Sequence, residues 1–136
     1  MVFLLYIHIR TFIMSLPIIN EISSMNDFRI LLKNNPGVII IKFGATWCAP
    51  CKKVDPAIKH SMSQMPNSVQ CVVVDVDESF EVYAYMKNKK MVNGIPALVA
   101  YYKENDSFIP DEFCTGSKIE NINDFFAICF KKGLEK

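Results

Sequence analysis

The chain carries no excess of charge of either sign: 15 Lys and Arg stand against 14 Asp and Glu, a formal net charge of +1. That balance removes the electrostatic case for binding nucleic acid or an anionic membrane surface. Its single basic cluster, KNKK at 87–90, is short and reads as a solvated helix end. A long apolar run is missing as well. The opening stretch MVFLLYIHIRTFI falls well short of the ~20 residues that cross a bilayer, and His8 and Arg10 interrupt it. It shows neither the leading positive charge nor the small-residue cleavage site of a signal peptide in clear form. Residues 1–15 therefore read as a dispensable N-terminal extension, with a weak membrane anchor as the alternative, and residues 16–136 as one domain. With 136 residues, 51% of them hydrophobic and 21% charged, the chain is long and apolar enough to bury its own core.

Cysteine is too sparse, and aliphatic content too high, for a small disulfide-stapled fold. The count of five is odd, and only Cys48 and Cys51 have diagnostic spacing. A reducing, cytoplasm-like compartment is the reading, and there C-x-x-C means redox chemistry or metal. For metal the partners are missing: no second C-x-x-C or C-x-x-H occurs, and His60 falls too far down the same expected helix. No metal is expected. His8 and His60 read as solvent-facing. Cys71, inside an apolar run, and Cys129, on an apolar helix face, read as small core hydrophobes. Cys114 reads as nearer the surface, with a regulatory thiol or intermolecular disulfide as its alternative.

Hydrophobic periodicity predicts a short strand at 18–22, then a helix capped by Ser23 or Ser24. That helix carries Phe28, Leu31 and Leu32 on its apolar face and stops at Asn34-Asn35-Pro36-Gly37. The β-branched run 38–43 suits a strand buried on both faces. A helix follows from about 48 to 65 with a kink at Pro56, then a strand over 69–76 and a helix over 78–89. A strand at 97–102, a turn at Glu104-Asn105-Asp106-Ser107 and a strand at 108–114 come next. A helix over 119–131 closes the chain, with Ile122, Phe125, Phe126 and Cys129 on one face. The order β-α-β-α-β-α-β-β-α predicts an α/β fold: a mixed central sheet with helices on both faces, ending in an antiparallel hairpin.

The chemistry concentrates in VIIIKFGATWCAPCK at 38–52. Cys48 falls at the start of a predicted helix, where unpaired N–H groups and the positive end of the dipole stabilise a thiolate. A free thiol titrates near about 8.5, and this setting lowers it into a useful range. Cys51 sits one turn further along and more covered. Cys48 is then the attacking sulfur and Cys51 the resolving one, working through a mixed disulfide on Cys48.

Ala45-Thr46-Trp47-Cys48-Ala49-Pro50-Cys51-Lys52, with Pro56 and the later Gly94-Ile95-Pro96, resembles the thioredoxin family over about residues 18 to 133. The resemblance implies the thioredoxin fold and a redox-active Cys48–Cys51 disulfide in an enzyme that reduces protein disulfides. It gives Trp47 a shielding place beside the thiols and Pro50 a part in setting the reduction potential, with Ala49 in place of the family's usual glycine. Pro96 would be a cis-proline facing the disulfide, its ring filling space a metal would need. The backbone of Ile95 would pair with an extended substrate segment, and Gly116 would keep the substrate groove open. The partners implied are disulfide-containing proteins and a thioredoxin reductase or equivalent NADPH-linked electron donor. No bound cofactor and a monomer are expected.

Two departures stand out. The family usually has a buried aspartate at the position of Lys42, serving as proton acceptor for the second thiol. A charged lysine there cannot be that base, although it favours thiolate on a nearby Cys51. Some members pair that aspartate with a lysine on the next strand. The matching residue here is Val73, so no charge swap is evident. Lys42 is read as tuning the dithiol, against the plainer alternative of an amine reaching water or a carbonyl beneath the sheet. The segment from Asp77 to Pro96 and the hairpin after Pro96 are also longer than usual. Two alternative functions remain at this level: a disulfide isomerase-like oxidant, and a binding protein of this fold with a modified redox site.

Overall fold

The computed structural model describes residues 15–135; the expectations placed on residues 1–14 lie outside the described residues. The element that orders the rest is β1 (Val38–Gly44), every residue of which is buried. Alternation along a strand sends neighbouring side chains to opposite faces. Ile39, Ile41 and Phe43 therefore enter one core with Phe28, Val72, Val74, Val99 and Tyr101. Val38 and Ile40 enter the other with Val54, Ile58, Leu98, Phe125 and Cys129. Lys42 follows Val38 and Ile40 in the period and so shares their face.

Beside β1 lie β2 (Val69–Asp75), parallel, and β3 (Ala97–Tyr102), antiparallel; β4 (Glu112–Thr115) pairs antiparallel with β3. The sheet order is β2-β1-β3-β4. Its first face is covered by α1 (Met25–Lys33) and α3 (Phe80–Asn88), which contribute Phe28, Val82 and Met86. Its second is covered by α2 (Ala49–Ser63) and α4 (Ile119–Gly133), which contribute Val54, Ile58, Met62, Ile122 and Phe126. This is the expected mixed sheet between two helical layers. Ser24 caps α1 by accepting from Asp27 N–H at 3.1 Å, and α2 runs on through Pro56. No helix of the described residues is long and apolar enough to cross a membrane.

Three expected elements are shorter. The strand at 18–22 reduces to one bridge, Ile19 with Val72. Pro17 has no N–H to extend it, and Ile22 N–H donates to Ser79 Oγ at 3.2 Å instead. That bond also occupies the hydroxyl that would cap α3, which begins at Phe80 rather than 78. The strand expected from 108 starts only at Glu112. Asn105 Nδ2 donates to Ile109 O and to Asp111 Oδ2, Tyr102 N–H donates to Asp111 Oδ2, and Pro110 has no donor. These side chains hold 103–111 as a loop, and Phe108 turns inward against Phe28 and Tyr85.

Phe28 joins the layers. It is fully buried, meets Tyr101 edge-on at 5.9 Å between centroids and lies 4.8 Å from Phe108. Phe28→Ala should lower unfolding free energy by about 3–5 kcal/mol in denaturant titration. A loss under about 1 kcal/mol would contradict this packing.

Candidate active site

The carboxyl end of β1 delivers the chain through Ala45-Thr46-Trp47 to the start of α2. Cys48 is the N-cap residue of that helix, and its Sγ accepts the Cys51 backbone N–H at 3.2 Å. One of the orphan donors of the helix start thus points at sulfur. Ala49 and Pro50 fill the first two helical positions, where proline's missing N–H costs nothing and its fixed φ fits the helix. Cys48 and Cys51 are joined as a disulfide with their α-carbons 5.2 Å apart. Cys51 is fully enclosed, while Cys48 keeps 5% of its surface open.

Pro96, preceded by a cis bond from Ile95, approaches from the start of β3, and Cys48 Sγ lies 4.0 Å from the Ile95 carbonyl oxygen. Gly116 N–H donates to Pro96 O at 2.9 Å, tying the end of β4 to the same edge. Gly116 has φ +101°, a conformation side chains resist, and a Cβ there would meet nothing within 4 Å. Trp47 is 66% exposed, its indole N–H donating to Asp77 Oδ2 at 2.8 Å. The structure thus brings Trp47, Cys48, Cys51, Ile95, Pro96 and Gly116 to one end of the sheet. Asp77 was no expected site residue. Its only sequence signal was an acidic turn leaving β2, whose carboxyl end neighbours that of β1.

Lys42 departs from expectation. It is only 7% exposed, and its Nζ approaches Asp55 Oδ1 at 2.7 Å. Val73 does pair with Lys42 in register, as expected, and is neutral. The counter-charge lies on the helix packed over the strand and not on the strand beside it. The amine meets a carboxylate one turn after Cys51 on α2. Asp55 Oδ1 is buried, and among the described residues Lys42 Nζ is the one group paired with it. The spacing of Cys51 and Asp55, i and i+4, is the signal that would have found it. Gly44 makes room: a Cβ there would stand 2.9 Å from Lys42 Nζ and 3.7 Å from Cys51 Sγ.

Cys71 and Cys129 are buried in the second core, as expected, and burial pushes both thiols up to about 12. Half-buried Cys114 is raised by the same cause. Among the described residues no group of three His, Cys, Asp or Glu side chains could hold a metal ion.

The Thioredoxin family model matches residues 20–127. Thioredoxin of Ophiophagus hannah is 31% identical over 86 residues, covering 62% of this chain and 76% of that protein. Thioredoxin of Oryctolagus cuniculus is 32% identical over 74 residues, covering 54% and 70%. Among solved structures, the thioredoxins of Malassezia sympodialis and Plasmodium falciparum each superpose with TM-score 0.64 at 22% identity. The first pairing covers 87% of this chain and 95% of the other, the second 85% and 90%. At that identity the likeness speaks for the fold.

Raised thiols keep their protons at pH 8, so the attacking thiolate is absent at Cys71 and Cys129. Iodoacetamide at pH 8 should leave both unmodified in the reduced native protein and modify all five cysteines in guanidinium. Native labelling of either at its unfolded rate, read by peptide mass spectrometry, would contradict their burial.

Proposed function

The chain belongs to the thioredoxin family, oxidoreductases that exchange dithiols with protein disulfides, and from that premise we propose that Cys48 attacks and Cys51 resolves. The observation that carries this is the Cys48–Cys51 disulfide at the start of α2, with Cys48 the more open sulfur and the Cys51 N–H aimed at it. In the reduced protein that N–H and the helix dipole stabilise a thiolate on Cys48. The thiolate attacks a substrate disulfide, a bond forms to Cys48, and the leaving sulfur takes up a proton. Cys51 then attacks Cys48 Sγ, releases the second substrate thiol and leaves the disulfide seen here. Two electrons and two protons from a reductase complete the cycle.

An extended substrate segment would lie across Trp47, Ile95, Pro96 and Gly116, pairing with the Ile95 backbone. The open surface of Trp47 and the empty space at Gly116 support this placement. Pro50 and Ala49 fix the helix start between the sulfurs and so bear on reduction potential. The reading extends to an NADPH-linked reductase of the thioredoxin reductase kind as donor, to no bound cofactor, and to a monomer in a reducing, cytoplasmic compartment. There it would serve as an electron carrier in redox homeostasis.

Insulin reduction by dithiothreitol tests the activity: wild type should accelerate it, and a Cys48→Ser, Cys51→Ser double variant should match reagent alone. Equal rates for the two proteins would remove the enzymatic reading. The order of attack has its own test. Cys51→Ser should trap substrate as a mixed disulfide on Cys48, whereas a trapped adduct on Cys51 in Cys48→Ser, with none in the first variant, would reverse the assignment.

A further inference from the structure

We propose that Lys42 and Asp55 act as positioning residues for the resolving step, passing the Cys51 proton away from the substrate face into a cleft beside α2. The inference rests on Cys51 being the resolving thiol. That thiol is fully buried, and a buried sulfur ionises only if a neighbour stabilises the charge or takes the proton. Two groups stand ready. Apart from the chain neighbours of Gly44, the three atoms nearest a Cβ placed there are Lys42 Nζ, Lys42 Cε and Cys51 Sγ. The ammonium and the sulfur therefore share one notch over that glycine. Behind the ammonium, 2.7 Å away, is the buried Asp55 Oδ1.

Beyond Asp55 the structure opens. The carboxylate side chain is 45% exposed, against 9% for that of Lys42, so the pair runs from an enclosed cation to an anion at the surface. Both residues line a cleft of about 260 Å³ with Asn20, Lys59, Met62 and Val73. Its walls are largely apolar, with Ile18 and Ile58 completing them, but Asn20, Lys59 and the ion pair supply polar partners and the volume is large enough for water. It shares no lining residue with Trp47, Ile95, Pro96 or Gly116, so it stays open when substrate covers Cys48. Among the described residues that line the cleft or meet the Gly44 notch, the other charged or titratable groups are Cys51 from α2's first turn and Lys59 from its third. The strand neighbours of Lys42, Val73 and Leu98, are neutral.

The step balances. Lys42 Nζ passes one proton to Asp55 Oδ1 and takes the proton of Cys51, so the ammonium that faced a carboxylate now faces a thiolate. At no point is the buried cation unpaired, the arrangement that makes a buried charge tolerable. The thiolate attacks Cys48 Sγ, the Cys48–substrate bond breaks, and the departing thiolate is protonated from solvent. Asp55 returns its proton to water in the cleft, and the ion pair re-forms.

A chromogenic aryl disulfide separates the two steps in one stopped-flow trace, because attack by Cys48 releases one chromophore and resolution by Cys51 a second. In a Cys114→Ser background at pH 7, Asp55→Asn should slow the second phase about a hundredfold relative to the first. Formate, a carboxylate small enough for the cleft, should restore it with rising concentration, and Asp55→Glu should restore it without formate. A second phase in Asp55→Asn as fast as wild type or faster, and indifferent to formate, overturns the proposal. Should that variant not fold, the wild-type second phase decides: it should slow in D2O, and an unchanged rate overturns the relay. Absence of the first phase in wild type would instead refute the assignment of Cys48.

Discussion

Strand β1 must satisfy two cores at once, and the alternation this imposes settles which side chain meets which helix. Ile39, Ile41 and Phe43 are committed to the α1/α3 layer. Val38 and Ile40 are committed to the α2/α4 layer, and Lys42 follows them. A one-residue slip would send all five apolar side chains to the wrong layer and move Lys42 away from Asp55. The same register ends the strand at Gly44, the point from which the chain must reach the first turn of α2. The disulfide's position is thus a consequence of how β1 packs.

From that fixed end the local chemistry is short-range. Cys48 caps α2, Pro50 follows where a helix tolerates it best, and the Cys51 amide turns back onto sulfur. The opposing wall comes from a different part of the chain, the Ile95-Pro96 step and Gly116, joined by the bond from Gly116 N–H to Pro96 O. Trp47 is held from a third direction by Asp77. Four connecting segments at one sheet end thus surround one pair of sulfurs, tied to one another in pairs by these two hydrogen bonds.

What was legible in the sequence was whatever depends on local pattern. The β-branched run of β1, the C-x-x-C at a helix start and the apolar face of α4 all declare themselves within a few residues. The misjudged segments are those where a side chain from elsewhere competes for the backbone. Ser79 takes the amide that would have extended pairing at Ile22, and Asn105 and Asp111 hold the residues before β4 in a loop. Lys42 stands out in the sequence as a charge in an apolar strand, yet its partner lies on the helix packed over it, beyond what strand pairing or family pattern indicates. Asp77 was hidden for a similar reason: its bond to Trp47 spans 30 residues.

The dithiol is a reductant whose two sulfurs act as one two-electron couple. Equilibrating the protein with glutathione buffers of known potential, then trapping thiols in acid and weighing the Cys48–Cys51 peptide, measures that couple directly. A single transition is expected, with a midpoint below about −200 mV, in the range where a dithiol reduces other proteins' disulfides. A midpoint well above that value would make the pair an oxidant and rule out the reductant.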